Sequence, residues 1–336
     1  MAQIANTFET YDAVGNREEL ADRIYNITPD ETPFVSLIGH APVSSVHPEW
    51  QTDTLRSIDL TNNQQEGNDW TYDAITPTTR VGNYCQISEI PLIVSRTQDK
   101  TDKAGRASEL RYNVGKAGRE LRNDMEAILL SNQASSAGSG NGATNRTSGG
   151  MRAWLASNDD LGATGASGGF NTSTSVVDAA TNGTQRAFTK AILDSVILNT
   201  YNAGGNPTVG MVSPYVKTVF STFLDDANIV PQRVNITGTG KNTLVGSAEV
   251  YVSDFGSISM VPNRQMARAG AAVARNAFLI DPSMVVMGVF DDIKVHKAAK
   301  TGDAEKRVLN TEYTLCVKNE AAHGVAADLY GLTSAS

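Results

Sequence analysis

Between Asp102 and Gln133 apolar side chains recur every three or four residues, at Leu110, Val114, Ala117, Leu121, Met125 and Ile128. That spacing is one face of an α-helix, and it predicts a single helix over 102–133. At ~1.5 Å per residue such a helix runs about 45 Å, longer than a compact domain needs. The opposite charges Asp102–Arg106, Lys116–Glu120 and Arg122–Glu126 stand at i,i+4 and are expected on its exposed side, each pair worth ~0.2–0.5 kcal/mol. Gly105, Gly115 and Gly118 weaken it by up to ~1 kcal/mol each relative to alanine, so packing must help hold it straight. Two readings stand: a long surface helix of an α/β enzyme, or a spine that carries extended pieces.

The flanking pattern favours extended pieces. Residues 1–15 are polar and aperiodic and read as an arm. Asn16 and Glu19 look like a capping pair opening a short helix with the stripe Leu20, Ile24 and Ile27, ended by Thr28–Pro29. Pro33 to Gly39 is a small apolar plug. From 41 to 100 the chain reads as strands and loops. Trp50, Leu55, Ile58 and Leu60 precede a polar knot at Asn62–Asp69, and Trp70, Tyr72, Ile75 and Ile87 to Val94 follow it. This predicts a two-stranded excursion with a polar tip. Isolated hairpins are marginal in water, so the excursion needs a neighbour to lie on.

After the helix, Ser135–Thr184 is dominated by Gly, Ser, Thr and Asn, with Met151–Leu155 and Val176–Val177 as its apolar footholds. Such composition predicts a loosely ordered surface insertion that serves as a connection. From Phe188 the pattern changes. Ile192, Leu193, Val196, Ile197 and Tyr201 predict a helix closed by Gly204–Gly205. Thr208–Val212 is a strand candidate, and Ser213–Pro214 opens a helix whose apolar face is Val216, Val219, Phe220, Phe223 and Leu224. Val250–Val252, Phe278–Ile280 and Val285–Val289 complete a small mixed α/β domain. Finally Ile293–His296 and Arg307–Lys318 flank a polar turn; in the second arm Leu309, Thr311, Tyr313, Leu315 and Val317 alternate with polar positions, as in a half-buried strand.

Composition narrows the function. The net charge of −8 argues against a surface that holds nucleic acid by neutralising phosphates. Cys85 and Cys316 are the only cysteines and lack metal-ligand spacing, so reduced thiols in a cytoplasmic setting are expected. There is no membrane-length apolar run and no N-terminal signal pattern, so a soluble protein is expected, with no membrane partner.

Candidate chemistry is thin. His40, His47, His296 and His323 are too dispersed for a zinc motif. Gly165-Ala166-Ser167-Gly168-Gly169 formally fits a nucleophile elbow, but it sits inside low complexity rather than between a strand and a helix. Gly238-Thr239-Gly240-Lys241-Asn242 resembles a phosphate loop, with Asn235 and Asn242 where Gly and Ser or Thr belong, and reads as a turn. The N-x-[ST] matches at Asn26, Asn145, Asn171, Asn182 and Asn235 carry no weight in a chain this rich in Asn and Thr. Lys294, Lys297, Lys300, Lys306 and Arg307 cluster near the last turn, either as a solvated strand edge or as a partner for an acidic patch on a neighbouring subunit. No catalytic residue, cofactor or metal is assigned.

Three blocks taken together carry a resemblance: Arg17 to Ile27, then Glu31-Thr32-Pro33-Phe34, then His47-Pro48-Glu49-Trp50-Gln51-Thr52-Asp53. Their order and spacing are similar to the N-terminal signature of a branch of tailed-phage major capsid proteins with Hong Kong 97-type shells. The resemblance implies an α+β fold with an N-terminal arm (1–40), an extended β-hairpin loop (41–100), a peripheral domain with a spine helix (101–185), an axial domain (186–290) and returning peripheral strands (291–336). It implies a virion protein, made in the host bacterial cytoplasm, that self-assembles into hexamers and pentamers of an icosahedral shell around double-stranded DNA. A mildly acidic inner wall would avoid sticking to that DNA.

Under this reading Trp50, Trp70 and Tyr72 are expected as loop-side assembly anchors, since aromatic residues dominate interface hot spots; packing within the subunit's own sheet is the alternative for each. Lys294, Lys297 and Lys300 are the expected basic contact. Some shells of this type are welded by an isopeptide bond from a lysine in the extended loop. This chain has no lysine before Lys100, so no such cross-link is expected. The arm-like residues begin almost at Met1, so a separate scaffolding protein is expected, together with a portal and decoration proteins. A tail or decoration protein, or a cytoplasmic hydrolase using Ser167, are the competing readings.

Overall fold

The structure, a computed structural model, describes residues 27–223 and 249–335. The 1–15 arm, most of the short helix expected from Asn16, Leu224 and the turn at Gly238–Asn242 lie outside these. Helix α1 (Pro33–Leu37) leads into strand β1 (Gly39–Pro42), then β2 (Glu49–Thr52), β3 (Thr79–Gly82) and β4 (Gln86–Ser95). Helices α2 (Arg96–Lys100), α3 (Glu109–Leu130) and α4 (Met151–Trp154) follow, then β5 (Asp159–Asp160), β6 (Gly169–Asn171) and β7 (Val176–Asp178). Next come α5 (Lys190–Asn202), β8 (Val209–Val212), α6 (Pro214–Thr222), β9 (Val250–Ser253), β10 (Gly256–Pro262), α7 (Arg264–Arg268) and α8 (Ala271–Ala274). Strands β11 (Ala277–Ile280), β12 (Val285–Lys297), β13 (Ala304–Val317) and β14 (Gly324–Ala326) close the described chain.

Helix α3 is shorter than expected, spanning 22 residues, or about 33 Å at ~1.5 Å per residue. Gly105 takes a positive φ of 78°, so the helix expected from Asp102 cannot run through it. It starts instead at Ser108, whose Oγ accepts the Arg111 N–H. Asp99 Oδ1 accepts the N–H groups of Glu109 and Leu110 as well, satisfying donors that a helix start leaves without partners. Arg106 therefore pairs with Glu109 at 2.5 Å rather than with Asp102. Lys116 and Glu120 do pair on the surface, at 3.4 Å. The inner stripe is as spaced: Ala117 and Leu121 pack on Leu309, Ile90 and Leu92, while Met125, Leu129 and Leu130 join the main core.

Two larger sheets hold most of the strands. One has the order β1-β12-β13-β4, with β1 and β12 parallel and the rest antiparallel. Its edge strand β4 carries Pro91 at mid-length, where a missing N–H is tolerated because one side of the strand has no partner in the sheet. The other sheet has the order β5-β14-β11-β8-β10-β9 and is packed by α5 and α6. Val285–Val289, expected in this second unit, instead begins β12 of the first sheet, because Val285 and Met287 pack with Leu315 and Val317. Strand β14, built of Gly, Val and Ala, lies fully buried inside the second sheet.

The Gly-rich segment 135–184 is no loose insertion. Met151, Arg152, Ala153, Trp154 and Leu155 are all buried, and so is Val177. Side-chain amides and hydroxyls satisfy the backbone that apolar residues leave bare. Asn132 clasps Ala180 with both ends of its amide (2.6 and 2.8 Å). Asn83 donates to Gly149 O and accepts from Gly149 N, and the Ser135 hydroxyl accepts the Val177 N–H at 2.6 Å. Asp328, fully buried, accepts from Gly162 N and Gly183 N and pairs with Arg275 at 2.9 Å. Glycine is required by contact here: a Cβ at Gly150 would stand 2.3 Å from Ser131 O, and one at Gly162 would stand 2.2 Å from Thr184 O. Small residues let backbone lie on backbone, and hydrogen bonds do the rest.

Candidate assembly surface

Strands β2 and β3 pair over four residues, from Glu49 opposite Gly82 to Thr52 opposite Thr79. Beyond them the chain leaves as a loop, 53–78, with no ladder of its own. The expected hairpin is thus a short ladder at the base carrying a long irregular excursion. Local polar turns shape the loop. Asp59 accepts from both the N–H and hydroxyl of Thr61, which holds its carboxyl below the usual range. Asn68 donates to Gln64, and Gly67 takes the positive φ of the turn between them. Leu55, Ile58, Leu60, Trp70, Tyr72 and Ile75 are each 81–98% exposed. None of the described residues covers them.

Trp50 behaves differently from Trp70 and Tyr72. It lies at the base of the loop and turns inward, stacking on the buried Trp154 with ring centroids 5.7 Å apart. Its indole N–H donates to Lys318 O at 3.2 Å. Trp50 thus packs on its own subunit while half-buried, whereas Trp70 and Tyr72 are the fully outward aromatics.

Around residues 29–35 a buried polar cluster has formed. Glu126, read in the sequence as an exposed partner of Arg122, is fully buried. Its carboxylate accepts from Phe34 N (2.7 Å), Val35 N (2.8 Å) and the Asn263 amide (2.6 Å). Burial pushes its pKa up against the pull of these three donors. Gln265 donates to Pro29 O, Glu31 O and Asn123 Oδ1, and Arg268 donates to Pro29 O. Residues 29–35 are thereby fixed to α3 and α7. No sequence signal marks this cluster, because its members come from three distant stretches.

The basic cluster is largely neutralised at home. Lys294 pairs with Asp291 at 2.5 Å, Lys300 with Glu305 at 2.7 Å, and Arg307 with the same glutamate. Arg96 reaches across to Asp303 at 2.7 Å. Lys306 donates to the Thr301 hydroxyl. Of the three expected contact lysines, Lys297 has no ion-pair partner among the described residues. Ser167 lies between a bridge at Ala166 and strand β6, not at the start of a helix, so it is not on a nucleophile elbow. Among the described residues no group of three or more acidic, His or Cys side chains is placed to hold a metal. Cys85 and Cys316 are buried free thiols.

A family model described as SU10 major capsid protein matches residues 3–330. The chain is 38% identical over 127 residues to the major capsid protein of Escherichia phage Phieco32, a match that covers 38% of this chain and 36% of that protein. It thus spans about a third of that relative's length. Among solved structures it is similar to the capsid asymmetric unit of cyanophage A-1(L), with a TM-score of 0.62, 14% identity, and 96% of this chain and 98% of that chain covered. It is similar also to Gordonia phage Cozz (TM-score 0.57, 14% identity, 97% and 96% covered). A third is the SrpI encapsulin complex from Synechococcus elongatus PCC 7942 (TM-score 0.56, 11% identity, 94% and 92% covered). At these identities the likeness carries the fold, which is that of Hong Kong 97-type shells.

Proposed function

Because the chain belongs to the SU10 major capsid protein family, we propose that it is the shell-forming subunit of a tailed phage. Copies assemble into hexamers and pentamers that close an icosahedral shell around double-stranded DNA. The subunit performs no reaction. Its partners are itself, a separate scaffolding protein, a portal and decoration proteins, and assembly takes place in the host bacterial cytoplasm.

The observation that carries this reading is the loop 53–78, whose large apolar side chains are 81–98% exposed. Burying each fully is worth ~1.5–3 kcal/mol, while ordering the backbone costs about 1–2 kcal/mol per residue. A few anchors alone do not offset that cost. A large obligate interface, several thousand Å² in extent, does. The net charge of −8 suits a wall that encloses DNA without gripping it.

Negative-stain microscopy of the purified chain, with light scattering on the eluting species, tests the reading. Closed shells, or hexameric and pentameric rings, are expected when the chain is co-expressed with its phage's other head proteins. A discrete monomer or dimer under those conditions would overturn it. Tight DNA binding by purified subunits at physiological salt would remove the argument from charge.

A further inference from the structure

Both stems of the 53–78 loop meet at one imidazole. His47 stands just before β2, and its ring stacks on Tyr84, just after β3, with centroids 4.0 Å apart and planes 9° from parallel. Gly82, the last residue of β3, makes room for it: a Cβ there would lie 2.9 Å from His47 Nε2. The ring is thus boxed between the outgoing and returning strands, whose ladder is only four pairs long. Its two nitrogens have different surroundings. Nδ1 lies 3.9 Å from Glu49 Oε1, a carboxylate oxygen that Arg80 approaches to 3.3 Å. Nε2 is buried and has no hydrogen-bond partner among the described residues. A neutral imidazole donates from one nitrogen only, whereas imidazolium must donate from both. A proton therefore leaves a charged donor buried without an acceptor, which is costly.

We propose that His47 is a pH-sensitive pin for the loop: its neutral ring fastens the two stems together, and protonation frees them to swing on the body. The subunit alone carries this inference, which needs no shell. The charged groups facing the ring are Glu49 of β2 and Arg80 of β3. The Tyr84 phenol covers its flat side. The nearby Cys85 thiol, pushed up to about 11 by burial, stays neutral and donates to Ser45 O. Burial lowers the His47 pKa below the ordinary 6.5, outweighing the pull of Glu49, and Arg80 pushes the same way. A base whose pKa is lowered by packing holds its proton more tightly once that packing is broken. Acid therefore favours the freed state, in a window that opens near pH 6.5 and extends below it. The His47 side chain is 19% exposed, enough for a proton to reach it. Once freed, the imidazolium can turn to Glu49, whose pair with Arg80 is a surface contact that is easily exchanged. The pin controls the direction in which the exposed side chains from Leu55 to Ile75 are presented.

The test is hydrogen exchange of the full chain, read by mass spectrometry on peptides covering 45–52 and 79–85 and corrected for the intrinsic pH dependence of exchange. Between pH 7.5 and pH 5, protection at both stems is expected to fall about fivefold or more, while peptides of α3 keep theirs. His47→Phe keeps a flat ring against Tyr84 but takes no proton, so its stems are expected to be equally protected at both pH values. Equal protection in the parent, the same loss in His47→Phe, or a loss shared equally by α3 overturns the proposal. Glu49→Gln withdraws the carboxylate that favours the imidazolium and is expected to move the midpoint of the loss to lower pH; a midpoint that stays or rises overturns it. Should His47→Phe fail to fold, an NMR titration of the parent decides. The His47 ring signals are expected to give a pKa below 6.5. A value at or above 6.5 overturns the proposal, because a proton would then fasten the stack rather than loosen it.

Discussion

The loop 53–78 and the segment 135–184 invert what their compositions suggest. The loop carries two large aromatics and four branched aliphatics and buries none of them. The Gly-rich segment has few apolar residues, yet Met151, Trp154, Leu155 and Val177 are each at most 2% exposed. Apolar content therefore does not decide which stretch is part of the core. The Gly-rich segment has side-chain amides to satisfy its backbone, as in the Asn132–Ala180 and Asn83–Gly149 pairs. The loop is held mainly by short-range turns such as Asp59–Thr61, with one bond at its base from the Thr78 hydroxyl to Gln51 Oε1. One region is packed within the subunit; the other is left exposed by it.

Substitutions that pair the two regions sharpen this contrast. Trp154→Ala is expected to cost ~3–5 kcal/mol in urea unfolding of the isolated subunit, the usual range for emptying a buried aromatic site. A loss below ~1 kcal/mol would mean the Gly-rich segment is not part of the core. Acid is the next lever. His323 is buried beside the same segment, its carbonyl accepting from Asn158, and burial lowers its pKa to about 4. Its neutral form is the one the fold accommodates, so its stabilising contribution is complete above pH 6.5 and is lost as pH falls from 6.5 towards 4. Linkage gives about 3 kcal/mol over that window. The urea midpoints of the parent and a His323→Gln variant should therefore converge on acidification; parallel pH curves would refute it.

A smaller effect contrasts two glycines. Gly150→Ala should destabilise by ~1–3 kcal/mol, because its Cβ would collide with Ser131 O. Gly67→Ala, in the loop, meets nothing within 4 Å and pays only for its positive φ, about 1–2 kcal/mol in the fixed turn and less where the turn relaxes. Equal losses at both would erase the distinction. Smallest of all, Trp70→Ala should change the isolated subunit's stability by less than ~0.5 kcal/mol. A large loss would mean that the loop is folded onto its own body.

Regular periodicity was what the sequence made legible. The strand read at Arg307–Lys318 is found at Ala304–Val317, and the stripe from Ala117 to Met125 faces the core. The apolar pattern from Leu110 onwards carries no mark of where the helix starts, so it reads back through Gly105, whereas α3 begins after Ser108. Glu126 was misplaced because an i,i+4 partner was visible in sequence while Phe34, Val35 and Asn263 were not. The family was legible from three spaced blocks in the first 53 residues. The outward face of β4 was not, since its alternation marks two faces without saying which one α3 covers.

Pro91 has a further consequence. A ten-residue strand at the border of a sheet is an invitation to end-to-end ribbon growth, in which each molecule extends the last one's sheet without limit. A proline midway along β4 leaves a gap in the row of donors that such growth needs. Open-ended fibres are thereby disfavoured at the chain level, which favours contacts whose geometry can close upon itself.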